Sequence, residues 1–548
     1  MKKLQLILLL LTTVADLTAQ VRAAKVTGAD VFYKNGAILK SVATQSLYYR
    51  PQQEGRRQSS TPQEFTYVDF AKMKYYQMTV VKGDTIAVEI PFEYDKNLTV
   101  TGSEKLNGWD CKVARTSVNS NSIEIWYTEY LDYKGTPMPA WGVPRGLVVK
   151  IIRNGNTMFE AERIDQTAFG KNLLPESFGK IVDEAEYRWA INNAGVQEIV
   201  IFNNDKIGFT GAVAPDNFDE EEKLYSVGGG TVILKKVKLP ENTDRNSIFA
   251  EVSQYAVGDA YDRTGSIFVI PVGKEKSFLN AIQSLKNVPA FVSDSLTFPA
   301  LISTANYDVP VELMRFFTTF GVRGYNHIKV KGQNWADSVI YKTDVTHLAP
   351  LLKGEAWIGA YIGNWDSRGH NLSLKLKYHP GGRANSQKVI IPLFNTLNIL
   401  EQAGQSYPTF FDRDSLRVSF DITSDLRNVQ MVYITTGHGG WGGGDEFNQK
   451  LNTIYLDSRK VFSFIPWRED CASYRNLNPA SGNFNNGTSS SDLSRSNWCP
   501  GTVTNPVYIP IGDLKKGEHT VSVQIPLGKP EGGSFSYWCI SGFLIGEK

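Results

Sequence analysis

The chain has 548 residues, 42% apolar, 21% charged and 12% aromatic, with 58 basic and 56 acidic side chains and a formal charge of +2. That length exceeds one ordinary core and predicts several domains. The balanced, unclustered charge argues against nucleic acid or an anionic membrane as the main partner, since both reward clustered Lys and Arg.

The first twenty residues read as a signal peptide. Lys2 and Lys3 precede the apolar run Leu4 to Leu11, and small and polar residues lead to a cleavage zone near residues 19–24. The run is too short to span a bilayer and no later segment is long enough. The expectation is export, to the periplasm or beyond the cell, with no membrane insertion. Export places the four cysteines in an oxidising setting. Cys471 and Cys499 flank a loop rich in Asn, Ser and Gly, whereas Cys111 and Cys539 lie in distant segments and their spacing does not decide whether they pair.

Short β-type runs bounded by Gly, Pro, Asn and Asp follow in chain order: 79–81, 85–90, 122–127, 147–152, 198–202, 231–237, 266–270, 338–341, 372–377, 416–420, 430–434, 453–456, 520–524 and 542–545. Many alternate apolar with polar residues, the period of half-buried antiparallel strands. Helical patterns are few, at 178–193, at 274–286 and in a capped turn at 343–352. The fold class is therefore all-β, of sandwich type. Residues 25–165 read as a β-rich N-terminal domain and 166–222 as a mixed connector. Residues 223–379 and 380–548 each have the length of an eight-stranded antiparallel jelly roll.

Four stretches carry unusual chemistry. Asp259-Ala260-Tyr261-Asp262-Arg263 precedes a strand, where an Asp beside an Arg is a turn residue, an ion pair or a base held ionised. Gly437-His438-Gly439-Gly440-Trp441-Gly442-Gly443-Gly444-Asp445-Glu446-Phe447 is a loop with almost no side chains, over which a bulky ligand can approach backbone, and it ends in carboxylates. Gly363-Asn364-Trp365-Asp366 and Arg495-Ser496-Asn497-Trp498-Cys499-Pro500-Gly501 set Trp beside polar residues, a combination that suits sugar rings as well as an ordinary core. Trp109, Trp126 and Trp141 are read as core in preference to a sugar platform. None of the six His shows ligand spacing, so neither metal nor cofactor is expected.

Together, over residues 225–548, these stretches resemble the bacterial secreted peptide-N-glycosidase F family. The resemblance rests on Asp259 to Arg263 followed by Ser266-Ile267-Phe268-Val269, on Arg315-Phe316-Phe317-Thr318 and Thr343-Asp344-Val345-Thr346, and on Glu446-Phe447 with Ile454 eight residues after the Glu. Its most specific part is Arg495-x-x-Trp498-Cys499-Pro500-Gly501. It implies two side-by-side jelly rolls, a Cys471–Cys499 disulfide, and hydrolysis of the glycosyl-asparagine amide to aspartate and a glycosylamine. The substrates implied are N-glycosylated proteins and glycopeptides, and the expected state is a monomer.

By the same resemblance Asp262 is the primary catalytic acid, Glu446 the second carboxylate, and Arg263 and Arg495 the adjacent cations. Tyr261, Asp259, Trp365, Asp366, His438, Trp441, Phe447 and Trp498 are expected to bind substrate. One departure is clear: the family's acid two positions before a Trp falls here on Gly363, and Asp366, beside Trp365, offers a carboxylate by a different approach. Two other readings stay open, a glycosidase cutting inside the chitobiose core and a non-catalytic jelly-roll lectin.

Overall fold

The computed structural model describes residues 26–51, 62–169, 172–321, 331–332, 335–382, 387–439, 444–481, 489–528 and 535–548. The expected signal peptide and Trp441 lie outside them. The chain divides into two units, Met1–Gly195 and Val196–Lys548.

The first unit is built on a twelve-stranded sheet. Its middle strand, Val26–Tyr33, is antiparallel both to Asn156–Phe169 and to Ile38–Val42. Hairpins extend the sheet outward to Thr99–Leu106 at one edge and to Asp84–Pro91 and the short Lys180–Ile181 at the other. Alternation buries Val31, Leu39, Ile125, Val149 and Ile151 in one core, against which Trp126, Trp109 and Trp141 also pack. These tryptophans are core, as expected. The predicted helix over 178–193 forms only at Glu184–Asn193, because Asp183 caps it by accepting the Glu186 backbone N–H at 2.7 Å.

In the second unit, the first sandwich pairs two sheets. One holds Gln197–Ile207, His370–Pro380, Asn246–Ala256 and Val339–Asp344. The other holds Tyr225–Val227, Val232–Leu239, Gly354–Ile362, Thr264–Ile270 and Val311–Phe317, and is continued by Val503–Thr504 from far down the chain. Gln197–Ile207 falls inside the stretch read as a connector, yet its antiparallel register with His370–Pro380 makes it part of this sandwich. In His370–Pro380 every second residue is buried, so Leu372, Leu374, Leu376 and Tyr378 join Ile233, Val252, Ile267 and Ile358 in the core. Each fully buried aliphatic side chain of this kind stabilises by roughly 1.5–3 kcal/mol.

The second sandwich has two four-stranded sheets. Lys388–Asn395, Tyr537–Glu547, Leu426–His438 and Val507–Leu514 form one; Leu416–Ile422, Gly517–Gln524, Asn452–Leu456 and Arg459–Phe464 form the other. Val418, Met431, Ile454, Val523 and Leu544 fill the space between them. The expected Cys471–Cys499 disulfide is present, and Cys111 and Cys539 are buried free thiols.

A buried ion pair joins the two sandwiches. Arg315, in Val311–Phe317, is fully buried and donates to both carboxylate oxygens of Glu312, at 3.1 and 2.7 Å. It also donates to Thr436 Oγ1 at 3.2 Å and to the Cys539 carbonyl, both in the second sandwich. Glu312 accepts further bonds from Ser266 and, across the seam, Ser541. Removing one member leaves a buried charge unpaired, so Arg315→Leu is expected to destabilise this unit by about 3–5 kcal/mol in chemical denaturation, and the Arg315→Leu/Glu312→Gln double variant by clearly less than the sum of its parts.

Candidate active site

The site forms where loops of both sandwiches meet. In the first, the loop before Thr264–Ile270 is stapled from beneath by Asp259. Its buried carboxylate accepts from Arg263 Nε at 2.7 Å, Arg263 Nη2 at 3.2 Å and the Tyr261 backbone N–H at 3.2 Å. His370 Nε2 lies 3.4 Å from the same carboxylate, with Gln254 against its Nδ1 at 2.8 Å. Burial alone would raise the Asp259 pKa, but the His370 and Arg263 contacts overcome it and bring it to about 2. Thr318 closes the loop from the side: its hydroxyl accepts the Arg263 backbone N–H at 2.7 Å and donates to the Tyr261 carbonyl at 3.0 Å. The loop thus presents Asp262 in a fixed direction.

In the second sandwich the glycine-rich loop starts at Gly439. Its φ is +91°, and a Cβ there would stand 1.8 Å from the Phe535 carbonyl oxygen, so only glycine fits. The loop ends on Asp445, which is wholly buried and accepts from Trp538 Nε1 and the Gly528 N–H, each at 2.7 Å. Ser496 then donates its backbone N–H to the Glu446 carbonyl at 3.0 Å, tying Glu446 to the segment that carries Arg495.

Arg495 connects the two halves. It is fully buried, and its Nη1 donates to Asp262 Oδ2 at 3.0 Å and to Glu446 Oε1, while Nη2 donates to the Ser490 carbonyl at 2.6 Å and its hydroxyl at 2.9 Å. Its guanidinium lies over the Trp498 ring at 4.3 Å and the Phe447 ring at 5.0 Å. One cation therefore serves two carboxylates. Burial pushes the Glu446 pKa up to about 7; Arg495 opposes the shift and the neighbouring Asp262 charge adds to it. Asp262 is raised as well, by burial that outweighs the attraction of Arg495.

The surrounding cleft has a volume of about 470 Å³. Asp262, Arg263, Trp365, His438, Glu446 and Trp498 line it, so the structure gathers six of the residues singled out in the sequence. Trp365 stands 57% exposed with Phe209 edge-on to it at 6.0 Å, and Tyr261 is exposed with Arg263 over its ring. His438 is buried among Phe317, Trp498 and Tyr537. Thr436, whose hydroxyl accepts from Arg315, also shares a hydrogen bond with His438 Nε2 at 2.8 Å. Burial, then the Arg315 and Arg495 charges, lower the His438 pKa to about 3, so its ring is neutral.

Two expected binding residues serve the scaffold. Asp259 is the staple described above. Asp366 Oδ1 accepts the backbone N–H groups of Arg368 at 2.7 Å and Gly369 at 3.0 Å, which makes it a turn residue outside the lining of the cleft. The lining also includes Tyr361, Glu401, Tyr407, Phe535 and Tyr537, which carry no local signal of spacing or composition and come together only through pairing of distant strands. Among the described residues no three His, Cys, Asp or Glu side chains gather as a metal site would require.

Three family descriptions match in succession: the N-terminal domain described as N-glycanase peptide over 34–189, peptide-N-glycosidase F N-terminal over 198–378, and peptide-N-glycosidase F C-terminal over 406–545. A solved structure described as PNGF-II, in space group P21, is 39% identical, covers 95% of this chain and all of its own, and has a TM-score of 0.84. A second, in space group C2, is 40% identical, covers 96% and 98% respectively, and has a TM-score of 0.79. A further likeness is to PNGase F, a glycosylasparaginase from Flavobacterium meningosepticum, at 14% identity over 64% of this chain and 96% of that one, with a TM-score of 0.43. Comparison with curated proteins gives no match. With 39% identity along the whole of a PNGF-II structure and all three domain descriptions in order, the chain belongs to the peptide-N-glycosidase F family.

Proposed function

We propose that this protein is an amidase that removes N-linked glycans by hydrolysing the bond between asparagine and its first N-acetylglucosamine. The observation that carries the reading is Arg495 Nη1 held between Asp262 of one sandwich and Glu446 of the other, at the floor of an aromatic cleft. An amide is a poor electrophile, so hydrolysis needs an oriented, partly deprotonated water and a cation or donor near the developing oxyanion. Asp262 orients the water and takes its proton, and the water oxygen bonds to the side-chain carbonyl carbon. Arg263 and Arg495 hold positive charge beside the resulting oxyanion. The C–N bond then breaks as Asp262 returns that proton to the nitrogen, which leaves as a glycosylamine, and the peptide carries Asp where Asn stood. The glycosylamine exchanges its nitrogen for water and releases ammonia in solution.

A defined N-glycopeptide turned over in heavy-oxygen water is expected to give bare peptide with one heavy oxygen on Asp. A peptide that keeps one N-acetylglucosamine would establish the glycosidase instead, and a bound but unchanged glycopeptide the lectin. Asp262→Asn is expected to lower kcat by about 10²–10⁴-fold with the fold retained; an active variant would remove Asp262 from its role.

The Glu446 shift links activity to stability. Activity should rise with pH through about 7 as Glu446 ionises. Because its folded pKa lies above the ordinary carboxylate value, its contribution to stability is complete at acid pH and is lost as pH rises through about 7. Glu446→Gln is therefore expected to melt above the parent protein at pH 8, with the gap closing toward pH 5, while losing activity at both. A gap independent of pH would contradict the assignment.

The N-terminal Lys2-Lys3 and the apolar run behind them support export by a cleaved signal peptide. Sequencing of the mature N-terminus is expected to find it within residues 19–25; an intact Met1 in secreted protein would overturn this.

A further inference from the structure

The cleft holds a third carboxyl that the Arg495 arrangement does not use. Glu401 opens a short 3-10 turn, Glu401–Ala403, just beyond Lys388–Asn395. That turn is rigid. Leu400 is fully buried and exchanges bonds with Gln405: its N–H donates to Gln405 Oε1 at 3.0 Å, and its carbonyl accepts the Gln405 N–H at 3.1 Å. The Tyr407 hydroxyl donates to Glu401 Oε1, and the Tyr407 ring is wedged edge-on between Phe535 at 5.1 Å and Tyr537 at 4.9 Å. Glu401 thus stands in the cleft at a set position.

Its surroundings lack what a buried carboxylate ordinarily has. Among the described residues no Lys, Arg or His forms an ion pair with Glu401, and Tyr407 is its one side-chain hydrogen-bond partner. Tyr361, Tyr407, Tyr537 and Cys539 surround it, and burial raises its pKa against the opposing effects of the Tyr407 hydrogen bond and the Arg263 charge. A half-buried acid with one neutral partner has an oxygen to spare for a ligand. Around Gly363 and Trp365 the described residues of the cleft include no other acid to compete with it. Gly363 has no side chain, and a Cβ there would stand 2.5 Å from the Tyr361 hydroxyl, while Asp366 is committed to its turn.

A ligand for this spot must bring a hydrogen-bond donor and an apolar face at once, since Glu401 accepts and the exposed Trp365 and Phe535 beside it are aromatic. A pyranose ring with hydroxyl and N-acetyl N–H groups does both. We propose that Glu401, held by Tyr407, is a substrate-specificity residue that accepts a hydrogen bond from the asparagine-linked N-acetylglucosamine. The assignment rests on the glycan-amidase reading for its substrate and adds a residue to it.

The test separates binding from turnover. Free N,N′-diacetylchitobiose is titrated into the full-length protein by calorimetry, and KM and kcat are measured on a defined N-glycopeptide. Glu401→Ala is expected to weaken disaccharide binding and raise KM by about tenfold or more, as for a lost hydrogen bond to a charged group, with kcat within about threefold. Glu401→Gln, which keeps an acceptor oxygen, should recover most of that affinity, and Tyr407→Phe, which keeps the carboxyl but frees it, should show a smaller loss. Disaccharide affinity and KM unchanged in a Glu401→Ala protein of parental melting temperature would overturn the proposal, as would loss in Tyr407→Phe with none in Glu401→Ala. Failure of the parent to cleave glycopeptide bears on the amidase reading alone, because the calorimetric arms need no turnover.

Discussion

Two guanidinium groups, Arg315 and Arg495, are fully buried where the sandwiches of the second unit meet, and the rest of the site depends on them. A buried cation must be paired and hydrogen-bonded, which restricts the surrounding groups to a single arrangement. Arg315 meets this demand with Glu312 of its own strand and with Thr436 and the Cys539 carbonyl of the other sandwich. The seam is therefore specified by directional bonds as well as by apolar contact. A displacement of one sandwich against the other would leave charge unpaired, and such a displacement is what the catalytic geometry could least tolerate.

Arg495 applies the same constraint to chemistry. Its charge is divided between Asp262 and Glu446, so neither carboxylate is fully compensated, and both are raised above their ordinary range by burial. The aromatic faces of Trp498 and Phe447 hold the guanidinium flat and keep water from it. This arrangement costs stability at neutral pH and sets Glu446, which titrates at about 7, beside Asp262 at the floor of the cleft. The supporting acids are held by more donors, and Asp259 is lowered where Asp445 is still raised by its burial. Asp259 carries bonds enough to remain ionised, and Asp445 satisfies its burial with Trp538 and Gly528. Both brace the loops that carry the proposed catalytic carboxylates Asp262 and Glu446.

The loops themselves follow one design. Each proposed catalytic carboxylate directly follows, or lies within three residues of, an acid that accepts several N–H groups: Asp262 after Asp259, and Glu446 after Asp445. Bulk is removed where backbone must pass close to backbone, as at Gly439 under the Phe535 carbonyl. The result is a cleft whose floor is charged and whose walls are aromatic, a combination suited to a ligand with polar edges and apolar ring faces.

Much of this was legible in the chain alone. The alternation that predicts strands at 372–377 and 430–434 is a local property, because side chains on a strand reverse face at each residue, and the observed strands contain those runs. The Asp262-Arg263 and Arg495-x-x-Trp498 motifs were visible for the same reason: their residues are neighbours in sequence, and the resemblance they carry extends to Glu446. Two matters were decided only by the tertiary structure, and a third, Asp366, by bonds within its own turn. Gln197–Ile207 joins the first sandwich because its partner, His370–Pro380, lies far along the chain. Asp366 turns into its own loop because two backbone N–H groups there are close enough to capture it. Glu401 reaches the cleft because strand pairing sets its turn beside Tyr361 and Tyr537, residues with which it shares no local pattern. Periodicity and motif report which way a side chain faces along its own segment, whereas the company it keeps across a sandwich is set by long-range register and packing.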